Sequence, residues 1–310
     1  MSNNQQPRHL FSIIFLAILA VSTASLFIKF AQKEAPSLVI AAVRMVLSSL
    51  ILLPITITRF RKELISLNKK EIVLALISGI FLAFHFATWI ASLEYTSVAS
   101  SVALVSTGPI WVASYSLIIL KEKISKSFIL GMLITVTGVF LISINESCGK
   151  QVNLICPPLM SLLQIKSVTG DILALLGAFM VSGYLLIGRR LRSQIPLIPY
   201  IFVVYSIASI VLIIMMLIAG QTPFGYSFQT YIWLLLLALV PQIIGHSTYN
   251  WSLRFLPAST IAVTTLGEPI GATILAYFIL KETPGFLKIA GAITILAGIY
   301  ITVRRQPNIN

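Results

Sequence analysis

Residues 267–282 read Gly-Glu-Pro-Ile-Gly-Ala-Thr-Ile-Leu-Ala-Tyr-Phe-Ile-Leu-Lys-Glu, and residues 107–122 read Thr-Gly-Pro-Ile-Trp-Val-Ala-Ser-Tyr-Ser-Leu-Ile-Ile-Leu-Lys-Glu. Shifted by 160 positions, Gly108-Pro109-Ile110 falls on Glu268-Pro269-Ile270, and Ile119-Leu120-Lys121-Glu122 falls on Ile279-Leu280-Lys281-Glu282. Each stretch is apolar, is interrupted near its start by a proline and ends on a Lys-Glu pair. A proline inside a helix has no N–H to donate, so the carbonyls of Val105 and Thr265 lose their helical partners. Gly108 and Gly267 loosen the backbone beside each break. At the same offset, Lys29 falls on Arg189, Pro36 on Pro196 and Leu93 on Leu253. Ile129, Gly131 and Gly138 fall on Ile289, Gly291 and Gly298. Apolar matches arise by chance in an apolar chain. Pro, Gly and Lys-Glu matches at one constant offset indicate an internal repeat.

The 310 residues are 57% apolar and only 10% charged, against about 25% charged in an ordinary soluble domain. With 22 Lys and Arg against 9 Asp and Glu, the net charge is +13. Such a charge alone suggests nucleic-acid binding, but a soluble binder needs a charged surface that this chain cannot supply. Disorder is excluded because it needs low hydrophobicity, and two cysteines exclude a disulfide scaffold. The composition predicts an all-α, polytopic membrane protein.

A helix needs about 20 apolar residues to cross the hydrocarbon. Ten such stretches are expected, at about 10–29, 37–58, 72–93, 97–120, 127–145, 171–189, 197–219, 230–253, 258–280 and 286–303. The more polar segment 146–170, with Pro157-Pro158, links two halves, 1–145 and 171–310. The first stretch also reads as a signal peptide, yet its counterpart in the second half argues for a retained helix. Five spans per half is an odd number, so the second half enters from the opposite face. The result is an inverted repeat, an arrangement found in alternating-access transporters. With the N-terminus inside, 15 Lys and Arg fall in inner loops and six in outer ones, and Arg44 alone lies within a span. The positive-inside rule therefore places both termini in the cytoplasm.

Ten spans, a five-plus-five repeat and the motifs Pro109 … Leu120-Lys121-Glu122 … Gly131 … Gly138 and Glu268-Pro269 … Leu280-Lys281-Glu282 … Gly291 … Gly298 resemble the drug/metabolite transporter superfamily, and within it the EamA-type members. Gly170-Asp171 … Leu173-Ala174 at the opening of the second half is similar too. The resemblance implies a compact ten-helix bundle with a central cavity, located in a plasma membrane such as a bacterial inner membrane. It also implies export of amino acids or other small metabolites. These motifs are structural and leave the substrate open.

Charged groups within a bilayer cost about 2.5–3.5 kcal/mol each on insertion scales, so they default to functional candidates. Arg44 lies roughly 10 Å below the outer face, and Glu268 roughly 15 Å deep, near the midplane. Arg44 suits a substrate carboxylate. Glu268 suits a substrate amine or a coupling proton or ion. The competing reading pairs the two with each other, or lets Arg44 snorkel. His85 shares a helical stripe with Trp89 and Ser92, and His246 one with Gln242, Tyr249 and Asn250. Polar stripes in lipid face a cavity or another helix. Tyr184 and Trp111 complete the candidate pathway, Trp111 either packing or stacking on substrate. The breaks at Pro109 and Pro269 point to a midplane site between the halves.

Cys148 and Cys156 both fall in the outer linker and form either a disulfide or two free thiols. No metal site is expected, because neither span histidine has a second ligand at ligand spacing. A phosphate loop is absent, as is a His-Glu-x-x-His motif, and no cofactor is expected. The expected partners are a small-molecule substrate and the lipid bilayer, not nucleic acid; oligomeric state is not readable. The leading expectation is a secondary transporter rather than an enzyme. Uptake or exchange of an anionic or nucleotide-sugar-like metabolite is the alternative on the same fold. An intramembrane lipid-modifying enzyme is the rival class, with His246, Tyr249, Asn250 and Arg254 as its only inner-face polar cluster.

Overall fold

The computed structural model describes residues 7, 9–96, 98–118, 125–147, 165–280 and 285–304, and every regular element among them is helical. The elements are α1 (Leu10–Ser22), α2 (Ala24–Ala31), α3 (Ser37–Arg59), α4 (Arg61–Ile65), α5 (Lys69–Tyr95), α6 (Val98–Val105), α7 (Gly108–Ile118) and α8 (Lys126–Ser147). The second half supplies α9 (Ile165–Arg192), α10 (Leu197–Ile218), α11 (Phe228–Leu237), a π segment (Ala238–His246), α12 (Ser247–Ser252), α13 (Ala258–Thr265), α14 (Glu268–Leu280) and α15 (Phe286–Arg304).

Local chemistry sets the ends of these helices. Pro36 and Pro196 stand in extended conformation immediately before α3 and α10. Asn68 and Glu71 form a capping box at the start of α5, each side chain bonding the other's backbone N–H at 3.0 and 2.9 Å. Gly220, at φ +66°, ends α10. The amides of Gly220 and Gln221 fold back onto the carbonyls of Leu217 and Met216, the Schellman pattern that favours glycine.

Among the described residues six segments are long and apolar enough to cross a membrane: Leu10–Ala31, Ser37–Arg59, Lys69–Tyr95, Val168–Arg192, Leu197–Ile218 and Phe228–Ser252. The protein is thus a multi-pass membrane protein. The expected spans around Pro109 and Pro269 are each divided, α6 from α7 at Ser106-Thr107 and α13 from α14 at Leu266-Gly267. Neither piece reaches spanning length alone. At both breaks the backbone tightens into i→i−3 bonds, Thr107 to Leu104 at 3.1 Å and Gly267 to Thr264 at 3.0 Å. Large apolar side chains such as Phe15, Leu16, Ile214, Leu217, Phe278 and Leu296 are exposed, the surface that hydrocarbon covers.

Inside, α5 packs along α9, α3 along α10, and α1 against the π segment and α14. Helices α8 and α15 cross at glycines. Gly131, early in α8, meets the backbone of Gly298, late in α15, while Gly138 meets Gly291. That pairing makes the two helices antiparallel.

At one end of the bundle a strap ties α2 to α11. The Glu34 carboxylate accepts the Ser227 backbone N–H at 2.9 Å and the Thr230 hydroxyl at 2.8 Å. These donors hold its pKa below the usual 4.5, the Ser227 backbone bond first. A depressed folded pKa contributes stability that is present at neutral pH and lost as pH falls through the carboxylate range. Glu34→Gln is therefore expected to lower the melting temperature slightly near neutral pH, with the difference from wild type vanishing in acid. A difference that grows in acid refutes the strap's contribution.

Candidate functional site

The polar side chains of the interior converge beside the two helix breaks. A cavity of about 80 Å³ is lined by His85 and Trp89 from α5, Pro109 from α7, Tyr184 from α9, His246 from the π segment, Tyr249 from α12 and Glu268 from α14. It has room for a few waters, well short of the several hundred Å³ typical of small-molecule sites. A metabolite needs the surrounding helices to part. A larger crevice of about 450 Å³ lies between α1, α13, α14 and α15, but its lining, including Phe11, Phe15, Ile18, Leu19 and Ile274, is almost wholly apolar. Orientation of a ligand needs convergent polar groups, so the smaller cavity is the candidate site.

Each polar group there is held. The Tyr249 hydroxyl donates to Glu268 Oε1 at 3.3 Å. His85 Nδ1 lies 2.9 Å from the Gly177 carbonyl and donates to it, so a neutral His85 carries its proton on Nδ1. The imidazole is nearly parallel to the Trp89 ring, with centroids 5.9 Å apart. Trp89 Nε1 is buried and makes no hydrogen bond. Asn250 donates through Nδ2 to the Tyr184 hydroxyl and to the His246 carbonyl. Asn250 stands behind the cavity wall and fixes Tyr184.

Arg44 does not snorkel. It is fully buried in α3. Its Nε donates to Gln242 Oε1 at 2.9 Å, and its guanidinium lies 4.2 Å from the centre of the Phe86 ring. Its Nη1 and Nη2 have no hydrogen-bond partner. The expected alternative of an Arg44–Glu268 pair is thus not formed. Trp111 stands outside the cavity lining. Its ring meets Phe179 edge-on at 5.5 Å, and its Nε1 donates to Thr107 Oγ1 at 3.3 Å. Pro269 is buried at the head of α14. Cys148 and Cys156 lie outside the described residues, as do Lys121-Glu122 and Lys281-Glu282.

Several determinants were not anticipated. Ala238–His246 runs as a π segment around Pro241, although a proline inside the eighth span was a signal for irregularity. Its wider turn presents Gln242 toward Arg44 and His246 toward the cavity. Phe86, an ordinary apolar residue in sequence, separates Arg44 from the two histidines, its ring centre 5.0 Å from His85 and 5.4 Å from His246. Among the described residues no group of three or more His, Cys, Asp or Glu is placed to hold a metal.

The sequence pattern of the EamA-like transporter family matches this chain twice, over residues 10–144 and 168–304. An uncharacterized transporter of Archaeoglobus fulgidus is 24% identical over 299 residues, spanning 95% of this chain and 97% of the relative. The uncharacterized transporter YetK of Bacillus subtilis is 24% identical over 299 residues, spanning 94% and 87%. A solved crystal structure of a protein 15% identical to this chain superposes with a TM-score of 0.77, covering 96% of this chain and 98% of that one. At that identity the likeness speaks for the fold alone.

Proposed function

The chain belongs to the EamA-like transporter family, and from that premise we propose that it is a secondary transporter that exports a small metabolite by alternating access. Two inverted halves, 1–145 and 171–310, rock around the cavity at Glu268, each contributing five of ten spans. The observation that carries this reading is the polar cavity bounded by both helix breaks.

Repeated hydrogen bonds support the inverted arrangement. Lys29 Nζ donates to the Leu93 carbonyl at 2.9 Å, and Arg189 Nη1 to the Leu253 carbonyl at 2.5 Å. Gln32 Nε2 donates to the Ile90 carbonyl, and Arg192 Nε to the Asn250 carbonyl, both at 3.1 Å. Ser22 Oγ donates to the Glu268 carbonyl at 2.9 Å, and Ser182 Oγ to the Gly108 carbonyl at 3.0 Å. The members of each pair are related by the same 160-residue offset. The last pair exchanges halves: a bond from α1 to α14 becomes one from α9 to α7. A twofold axis in the membrane plane produces that exchange, and such an axis is what makes inward-open and outward-open states equivalent. The basic inner loops favour both termini on the cytoplasmic side of a plasma membrane.

Within this mechanism the serines anchor the break in one half to the first span of the other, so movement of one half is felt at the opposite break. Glu268 takes a substrate amine or a coupling proton. The clamps at the ends of α2 and α9 move as rigid parts of their halves. Arg192 is buried and also donates to the Ile195 carbonyl, whereas Lys29 is exposed. Charged donors to buried carbonyls are worth about 1.5–3 kcal/mol and exposed ones less. Arg192→Met is therefore expected to lower thermal stability in detergent several-fold more than Lys29→Met. Equal losses contradict the static-clamp reading.

The test of the function is reconstitution. Purified protein in liposomes is expected to exchange at least one metabolite of a broad panel. No flux of any of them, with or without ion gradients, overturns the reading. Transport indifferent to both pH gradient and membrane potential removes proton coupling alone.

A further inference from the structure

Arg44 is a charge without a full complement of partners. Its surroundings account for two parts of the guanidinium and for the backbone carbonyl. The Nε edge is taken by Gln242 Oε1 at 2.9 Å, one face rests on the Phe86 ring at 4.2 Å, and Ser48 Oγ, one turn along, turns back to the Arg44 carbonyl at 2.8 Å. What remains is the outer edge. Both Nη1 and Nη2 are buried and unbonded, and Gln242 Nε2 beside them is buried and unbonded as well. Burying a cation with no counter-charge in direct contact is costly, and Glu268, the acid whose field reaches it, forms no ion pair with it.

Resting on the transport reading above, we propose that Arg44 and Gln242 form a carboxylate-binding subsite of the transport pathway, taking the carboxylate of a monoanionic organic substrate. The two η nitrogens present parallel N–H bonds at the spacing of two carboxylate oxygens. The stack on Phe86 and the Gln242 bond fix the plane of the fork, and its buried edge opens to a ligand only when the surrounding helices part. Gln242 Nε2 adds a third donor. Phe86 links the subsite to the cavity, since its ring touches both His85 and His246, which line it. Once the surrounding helices part, the body of the substrate lies in that cavity, where the unbonded Trp89 Nε1 supplies a further donor. The charge count selects a monoanion. One guanidinium balances one negative charge, and Glu268 on the cavity wall disfavours a second. A neutral amide offers the fork one oxygen and no charge.

The proposal is tested on full-length protein in nanodiscs, with propionate and phenylacetate as probes and propionamide and phenylacetamide as neutral matches. Wild type is expected to bind at least one carboxylate at least tenfold more tightly than its amide. Arg44→Gln is expected to lose that preference. Because loss of a buried arginine alone can unfold the chain, the second variant is Gln242→Glu. It keeps an acceptor for Nε and supplies a tethered carboxylate to the guanidinium, so it is expected to fold at least as stably as wild type while weakening carboxylate binding tenfold or more. Equal binding of acid and amide overturns the proposal, as does wild-type carboxylate binding by folded Gln242→Glu, or binding of neither acid. Arg44 then holds water only. Counterflow in liposomes separates this from the transport reading. Carboxylate binding that depends on Arg44 without flux leaves the subsite standing and removes transport. Flux of uncharged or cationic metabolites unaffected by Gln242→Glu leaves transport standing and removes the subsite.

Discussion

Glu268→Gln is expected to reduce exchange in liposomes by about 10- to 100-fold or more, the range that follows from losing a charged interaction in a buried site, while the folded protein is recovered in normal yield. The substitution is isosteric. Its amide oxygen still accepts the Tyr249 hydroxyl, now 3.3 Å from Oε1, and the Glu268 backbone carbonyl still accepts Ser22 Oγ at 2.9 Å. Packing at the break is therefore preserved, and what disappears is a group able to carry a charge or a proton. Among the described residues Glu268 is the acidic one that lines the cavity, so no other carboxylate among them takes over. Glu268→Asp keeps the charge and shortens its reach, and it is expected to fall between wild type and Gln. The same ranking should appear when metabolites inside and outside cells are compared with and without each variant. Folded Glu268→Gln protein exchanging at the wild-type rate would falsify the role assigned to this residue.

The sequence makes some of this architecture legible and hides the rest for physical reasons. Glu268 and Arg44 stand out because a charge in an apolar run is expensive, and the full burial of Arg44 and the half-buried place of Glu268 on the cavity wall follow from the same cost. The paired breaks are legible because proline removes a donor wherever it stands. Pro109 and Pro269 also explain why two of the expected spans do not run at spanning length among the described residues, since each divides a helix that composition alone reads as continuous. Partners are not legible. Gln242 lies 198 residues from Arg44 and Phe86 is one apolar residue among many, so their meeting at the guanidinium is set by the packing of α3, α5 and the π segment. Ser22 and Ser182 illustrate a second limit. Hydroxyls in apolar helices usually bond their own backbone, and these do, to the Ile18 carbonyl at 2.6 Å and the Ala178 carbonyl at 2.7 Å. Each also reaches across to a break in the other half. For Trp111 the sequence left packing and stacking on substrate both open, and the ring packs edge-on against Phe179 outside the cavity lining.

The largest expected loss of stability comes from the crossing of α8 and α15. A methyl group added at Gly131 lies 2.2 Å from Thr302 Oγ1 and 2.7 Å from the Gly298 carbonyl oxygen, and one added at Gly298 lies 2.2 Å from Thr135 Oγ1 and 2.6 Å from the Gly131 carbonyl oxygen. The hydroxyls cannot simply swing aside. Thr135 Oγ1 is bonded to the Gly131 carbonyl at 2.7 Å, and Thr302 Oγ1 to the Gly298 carbonyl at 2.9 Å. The opposing carbonyls are backbone and move only if the helices separate. Gly131→Ala and Gly298→Ala are each expected to cost about 3 kcal/mol or more, the upper end of overpacking, read as a fall in melting temperature in detergent. Because both methyls occupy one crossing point, the first already forces the separation that admits the second. The double substitution is therefore expected to cost clearly less than the sum of the singles. Leu133→Ala, on the same helix but exposed, serves as a control with little effect. Single alanine variants that melt with wild type would show that the helices part without penalty. Additive losses would show that the two glycines act at independent contacts rather than at one crossing.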